Sequence, residues 1–209
     1  MGIPHHTETY QNLRVNDTRD DTRELSSYIY TVTEPDLNDL NPMQPWADAE
    51  WGERLMAFFG TNHFVNPGEA WKHRRELWEP MLNEYGKMDY TYNERLARDN
   101  QVNNVIDRLM VDPGSRQLVV SMWDTEDTHF FGIQRTPCSI DYTFSYRDSQ
   151  LNMEYRMRSC DFGEHFENDL WLARKLQLWV ADRTGMKAGH FIHSVKSLHV
   201  YNKDVENVF

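Results

Sequence analysis

The stretch SIDYTFSYRDSQLNMEYRM, residues 139–157, decides the fold. Residues 139–146 and 150–157 are rich in β-branched and aromatic side chains and read as strands, joined by a turn that Arg147-Asp148-Ser149 introduces and to which Gln150 belongs. Upstream, residues 117–122 (QLVVSM) form another strand after the turn Asp112-Pro113-Gly114. Downstream, residues 169–181 (DLWLARKLQLWVA) have Leu172, Leu176 and Trp179 at helical spacing with charge on the other face, and residues 191–201 return to strand. Towards the N-terminus, residues 25–33 (LSSYIYTVT) read as a strand closed by Pro35. Three amphipathic helices follow: 46–59, stopped by Gly60; 71–82, containing Trp78; and 100–110. Residues 1–18 are polar and read as an arm, leaving 19–209 as a single domain. Helices mixed with a mostly antiparallel sheet make an α+β domain.

The 209 residues include 22 Lys+Arg against 33 Asp+Glu, a formal charge of -11, which argues against a protein that coats or slides along DNA. The 7 Trp, 10 Tyr and 10 Phe supply bulky core material, so the charged surface does not signal disorder. No apolar run reaches the length of a membrane span and MGIPHHTETY lacks the apolar centre of a signal peptide, so a cytoplasmic location is expected. Cys138 and Cys160 are too few for a disulfide framework and lack zinc-site spacing; His190 and His193 face opposite ways on a strand, and no metal is expected.

Cys138 follows Pro137 in Arg135-Thr136-Pro137-Cys138-Ser139, at a strand entrance. A neighbouring guanidinium favours the thiolate, the form a nucleophile needs, although a lone cysteine before a strand is more often a buried spectator. RSCDFGEHFEND (158–169), the helix after it and GHFIHSVKSLHVY (189–201) change that balance. Together with Cys138 they resemble the thymidylate synthase family, which includes the pyrimidine nucleotide hydroxymethylases. Cys138, Arg158-Ser159, Asp161, Gly189, His199 and Tyr201 fall in one register without an insertion. Asp112-Pro113-Gly114-Ser115-Arg116, Glu53 to Gly60-Thr61-Asn62, Trp78 and Arg19 extend the resemblance over about residues 19–205.

The resemblance implies a thymidylate synthase-like fold and a definite chemistry. Cys138 adds to C6 of a pyrimidine nucleotide, so that C5 attacks the one-carbon unit of 5,10-methylenetetrahydrofolate; loss of tetrahydrofolate leaves an exocyclic methylene, which takes hydride to give methyl or water to give hydroxymethyl. Arg158, Ser159 and Arg19 are the implied phosphate ligands, with Arg116 reaching across from a second subunit of a homodimer. Asp161 is implied as a pterin partner, Trp78 as a folate-packing ring, and His199 and Tyr201 as a pair holding the sugar 3′ hydroxyl. Glu53 is implied in water and proton organisation, with Glu50 a rival in similar context.

The base-reading position sets the substrate. An asparagine there suits uracil, and a carboxylate suits cytosine, whose N4 amino group donates. Counting without a gap from Asp161 places Asp169 at that position; a one-residue deletion would place Asn168 there. Gln117, Ser139, Ser197 and Gly163-Glu164-His165 stand where the family commonly has other residues, and only eight residues follow Tyr201, where thymidylate synthases continue into a closing segment. A less sealed site admits water. The expectation is therefore a dCMP 5-hydroxymethylase, as in bacteriophages that make modified DNA precursors, whose place would be the host cytoplasm. The alternatives are a dUMP methylase or hydroxymethylase and a non-catalytic nucleotide-binding relative.

Overall fold

The computed structural model describes residues 9–12, 22–32, 37–60, 68–128 and 136–208. In chain order the strands and α-helices are β1 (Thr9–Asn12), β2 (Thr22–Val32), α1 (Trp46–Phe58), α2 (Arg75–Trp78), α3 (Tyr92–Ala97), α4 (Gln101–Val111), β3 (Val119–Ser121), β4 (Ser139–Arg147), β5 (Gln150–Met157), β6 (Cys160–Asp161), α5 (Phe166–Thr184), β7 (Lys187–Tyr201) and α6 (Val205–Val208). The strands form one sheet in the order β1-β2-β7-β5-β4-β3, with β6 also paired to β7.

The α+β expectation holds, and so does the predominance of antiparallel pairing: β1–β2, β2–β7, β3–β4 and β4–β5 are antiparallel. The pairs β5–β7 and β6–β7 are parallel, because α5 carries the chain back across the sheet before β7 begins. Within the polar arm expected over residues 1–18, Thr9–Asn12 pairs with Thr22–Leu25.

One face of the sheet is covered by α4 and α5. Leu151, Met153, Tyr155 and Met157 alternate inward on β5 and meet Leu109, Leu170, Leu176 and Val180 from the helices. Burying each such aliphatic side chain contributes about 1.5–3 kcal/mol, so the alternation on β5 fixes which face is core. The other face presents Val119, Thr143, Glu154, Arg156, Ile192, Ser194 and Ile29, which lie opposite one another across the ladders.

The helix of residues 46–59 ends one residue earlier than expected, and Gly60 takes φ +73 after Phe59 and Gly60 N–H bond back to Leu55 and Ala57 carbonyls. The stretch 71–82 is a correction: it breaks into a 3₁₀ turn, α2 and a second 3₁₀ turn. Arg74 leaves helical geometry and Pro80 has no N–H with which to continue a helix. Among the described residues no helix is long and apolar enough to cross a membrane.

Candidate active site

A cleft of about 680 Å³, measured out to its open mouth, lies where the end of β5, β6 and the start of α5 meet α1 and the segment before α3. Cys138, Ser159, Asp161, Asn168 and Asp169 line it, together with Glu50, Trp46, Trp71, Tyr90, Tyr92 and His165.

Cys138 is half-buried at the entrance to β4. Its carbonyl accepts from Arg158 N–H (2.8 Å), and the Arg158 guanidinium donates to the carbonyls of Pro137 and Thr136 (2.9 Å each). That clamp brings Nη2 to 3.8 Å from Cys138 Sγ. The sequence pointed to Arg135 as the neighbouring cation; Arg135 lies outside the described residues, and Arg158 stands beside the sulfur. A guanidinium at that distance favours thiolate over thiol. From the other side Tyr92 Oη accepts from the backbone N–H groups of Cys138 (3.2 Å) and Ser139 (3.4 Å). Burial pushes the Tyr92 phenol well above its ordinary pKa.

Tyr92 escaped the sequence reading although its signal was present. Thr91-Tyr92-Asn93-Glu94 is a Thr-x-x-Glu capping sequence, and Thr91 Oγ1 accepts from Glu94 N–H (3.1 Å). The cap starts α3 where Tyr92 faces Cys138. Trp46, buried as core material, and Trp71 also wall the cleft, with ring centroids 5.9 Å apart and Trp46 edge-on to His165.

The two glutamates of α1 separate. Glu50 lies on the cleft, buried, and accepts from Arg54 Nη2 (2.8 Å). Glu53, the residue expected there, turns to the other side: its carboxylate accepts from Ala70 N–H (2.8 Å) and Asn93 Nδ2 (3.1 Å). Burial and the neighbouring Glu50 raise its pKa, while the Ala70 N–H opposes them. Gly68 lies so close that a Cβ there would stand 2.3 Å from Glu53 Oε1. Trp78 is likewise behind the cleft, donating its indole N–H to the Trp71 carbonyl; Trp71 is the ring that reaches the cavity.

Asp169 enters the cleft from the first turn of α5, its backbone N–H bonded to the His165 carbonyl (2.8 Å). Burial, and then the Glu50 carboxylate, push its pKa up to about 7. Cys160 is buried with its thiol held well above the usual range by burial, and its S–H faces Asp169 Oδ2 at 3.6 Å. Asn168 is buried too: Oδ1 accepts from Met43 N–H (2.6 Å), while Nδ2 has no partner. Asp161 Oδ1 accepts from the N–H groups of Gly163 (3.0 Å) and Glu164 (3.3 Å), and burial raises its carboxyl.

His199 and Tyr201 share a face of β7 at the edge of the site, rings 5.6 Å apart, with His199 Nδ1 3.4 Å from Ser159 Oγ. Arg116 is exposed and is not among the cleft residues. Arg19 lies outside the described residues. Among the described residues no cluster of His, Cys, Asp and Glu could hold a metal ion.

Residues 30–209 match the protein-family model described as thymidylate synthase. The chain is 29% identical over 150 residues to the thymidylate synthase of Oenococcus oeni, covering 72% of this chain and 41% of that protein. It is 24% identical over 141 residues to the thymidylate synthase of Bacillus phage phi3T, covering 63% of this chain and 50% of the relative. The chain thus spans about half the length of these two relatives. Among solved structures, thermostable thymidylate synthase A from Bacillus subtilis superposes with a TM-score of 0.75 at 19% identity, over 91% of this chain and 70% of that one.

Proposed function

The chain belongs to the thymidylate synthase family, and from that premise we propose that it transfers a one-carbon unit to C5 of a pyrimidine nucleoside monophosphate, with dCMP as substrate and the hydroxymethyl nucleotide as product. The observation that carries this reading is the shared cleft in which Cys138, beside the Arg158 guanidinium, faces a site edged by the carboxyl of Asp169. Cys138 adds as thiolate to C6 of the base, and the electron density displaced to C5 makes that carbon the nucleophile. Tyr92 holds the backbone of Cys138 in place for that attack.

Asp169 reads the base. With a pKa near about 7 it is available as the acid, whose O–H donates to N3 of cytosine while its carbonyl oxygen accepts from the N4 amino group. The rival reader, Asn168, has its oxygen engaged by Met43 N–H, which supports Asp169 in the role. Ser159 beside His199 forms the polar edge for sugar and phosphate. Glu50, which lines the cleft, orders water and moves protons at the base, the role expected first of Glu53.

The cleft fits 5,10-methylenetetrahydrofolate as the donor. Trp46 and Trp71 offer aromatic walls, Asp161 offers a half-buried carboxyl, and the buried indole N–H of Trp46 lacks a partner that a heterocycle with acceptor groups would supply. When bound there, the folate supplies the electrophilic one-carbon unit. Trp46, Trp71 and Asp161 hold and orient it.

A second reading, dUMP as substrate with methyl as product, is favoured by the names of the relatives and by the fact that a neutral carboxyl can also accept from N3–H and donate to O4 of uracil. Incubation with 5,10-methylenetetrahydrofolate and either dCMP or dUMP, with the product identified by mass, decides between them. Hydroxymethyl-dCMP is expected. Conversion of dUMP alone overturns the cytosine assignment, and no product from either makes the chain a nucleotide-binding relative without turnover.

A further inference from the structure

Glu50 and Arg54 sit one turn apart on α1, both buried, with Arg54 at 2% exposure. Arg54 Nη2 donates to Glu50 Oε1 at 2.8 Å, whereas its Nε and Nη1 have no partner. A guanidinium does not bring itself into a core with two donors unsatisfied for packing alone, since each costs about 1–3 kcal/mol. Its ion-pair partner is the carboxylate that faces the cleft, with the neutral phenol of Tyr142 also beside it. Across that cleft stands Asp169. Two carboxyl groups and one guanidinium therefore share one poorly solvated region, where a single cation compensates a single anion.

The remaining groups around Asp169 leave that balance in place. Cys160 on β6 offers an S–H to Oδ2. Tyr92 on α3, Tyr142 on β4 and Tyr155 on β5 are phenols whose burial raises their pKa, so they stay neutral at physiological pH. Tyr142 and Tyr155 stack at 4.4 Å between Arg54 and Ser139, and Tyr155 Oη meets Ser139 Oγ in a short hydrogen bond. The charge that distinguishes Glu50 from Asp169 is Arg54.

We propose that Arg54 is a positioning residue of this site: its buried ion pair fixes Glu50 as the carboxylate of the cleft and so leaves the proton of the carboxyl pair on Asp169, which meets a ligand with one donor and one acceptor. This deepens the reading above and rests on it only for the identity of the ligand. The raised pKa of Asp169, caused by burial and then by Glu50, agrees with the geometry; Arg54 acts on Asp169 in the opposite sense, behind Glu50 in size.

The test uses the whole chain without ligand, so that it stands apart from any failure of turnover. Infrared difference spectra across about pH 5–9 follow the carboxylic-acid C=O stretch, and the band lost in Asp169→Asn is that of Asp169. In the parent chain it should titrate away near about pH 7. Glu50→Gln removes the facing anion and should lower the midpoint by about one unit or more. Arg54→Lys keeps the cation and should preserve the midpoint, while Arg54→Met should displace it. An unmoved midpoint in Glu50→Gln or in Arg54→Met overturns the proposal. Should Arg54→Met fail to fold, Glu50→Gln alone decides, and Arg54→Lys separates charge from shape: a lost Asp169 band with the fold intact counts against it.

Discussion

In the proposed reading the chemistry turns on Asp169, and its protonation gives a pH prediction. The reading form is the acid, which is present below the raised pKa and lost as pH rises through about 7. In the free enzyme, kcat/KM for dCMP should therefore fall about tenfold per unit on the alkaline side, and that limb should vanish in Asp169→Asn, which cannot titrate. The same substitution should move preference towards dUMP; an unchanged preference, read by product mass, would count against the base-reading role. Cys138→Ala should abolish turnover, by about 10³-fold or more, with nucleotide binding retained in a calorimetric titration. Asp169 and Cys138 were legible because both fall in an ungapped register. The choice between Glu50 and Glu53 was not, because three residues on a helix shift a side chain by less than a quadrant from its neighbour. What separates them is remote in sequence: Ala70 N–H and Asn93 draw Glu53 aside. Glu53→Ala should accordingly cost stability, about 1–3 kcal/mol in urea unfolding, by stranding buried donors.

At the scale of elements, the hairpin that decided the fold is held by an unusual turn. Asp148 and Ser149 take φ +52 and +61, the left-handed pair of a two-residue type I′ turn, and Arg147 pairs with Gln150 around them. Serine has no Cβ-free access to that region, so replacing Asp148-Ser149 by Asn-Gly should stabilise the protein by about 0.4–1 kcal/mol, measured as a raised urea midpoint at unchanged slope. A fall in midpoint would mean that these side chains do more than turn the chain. The strands β4 and β5 and the helices α1, α4 and α5 were legible from periodicity alone, since each carries several repeats of its own period. The strand β6 was not, because two residues, Cys160 and Asp161, have no period; only their pairing with Leu198 and His199 makes them a strand. A polar pair was equally hidden. Arg174 and Gln177 lie off the Leu172-Leu176-Trp179 stripe of α5, yet both are buried, and Gln177 Nε2 donates to the Leu151 (2.7 Å) and His190 (3.0 Å) carbonyls where the β5–β7 register shifts. Tertiary irregularity in the sheet, absent from helical periodicity, selects those side chains.

For the whole molecule, the open face of the sheet and the position of Arg116 bear on assembly together. That face mixes Val119, Ile192 and Ile29, the last at 45% exposure, with Thr143, Glu154 and Arg156, a composition suited to a polar-rimmed contact with a second copy. Arg116 is exposed and does not line the cleft of its own chain. We propose that the chain forms a homodimer in which each cleft receives Arg116 from the partner, so that each site is made by two chains. A pair of variants tests this by complementation. Cys138→Ala and Arg116→Ala should each be nearly inactive alone, since every site then lacks either the nucleophile or the phosphate ligand. Unfolded together and refolded, they should recover roughly a quarter of parental activity, because about half of the dimers are mixed and each mixed dimer contains one site with both residues intact. Sedimentation tests the dimer independently. Dimers without recovered activity would place Arg116 in its own chain's chemistry or outside it, and monomers with full activity would remove the shared site altogether.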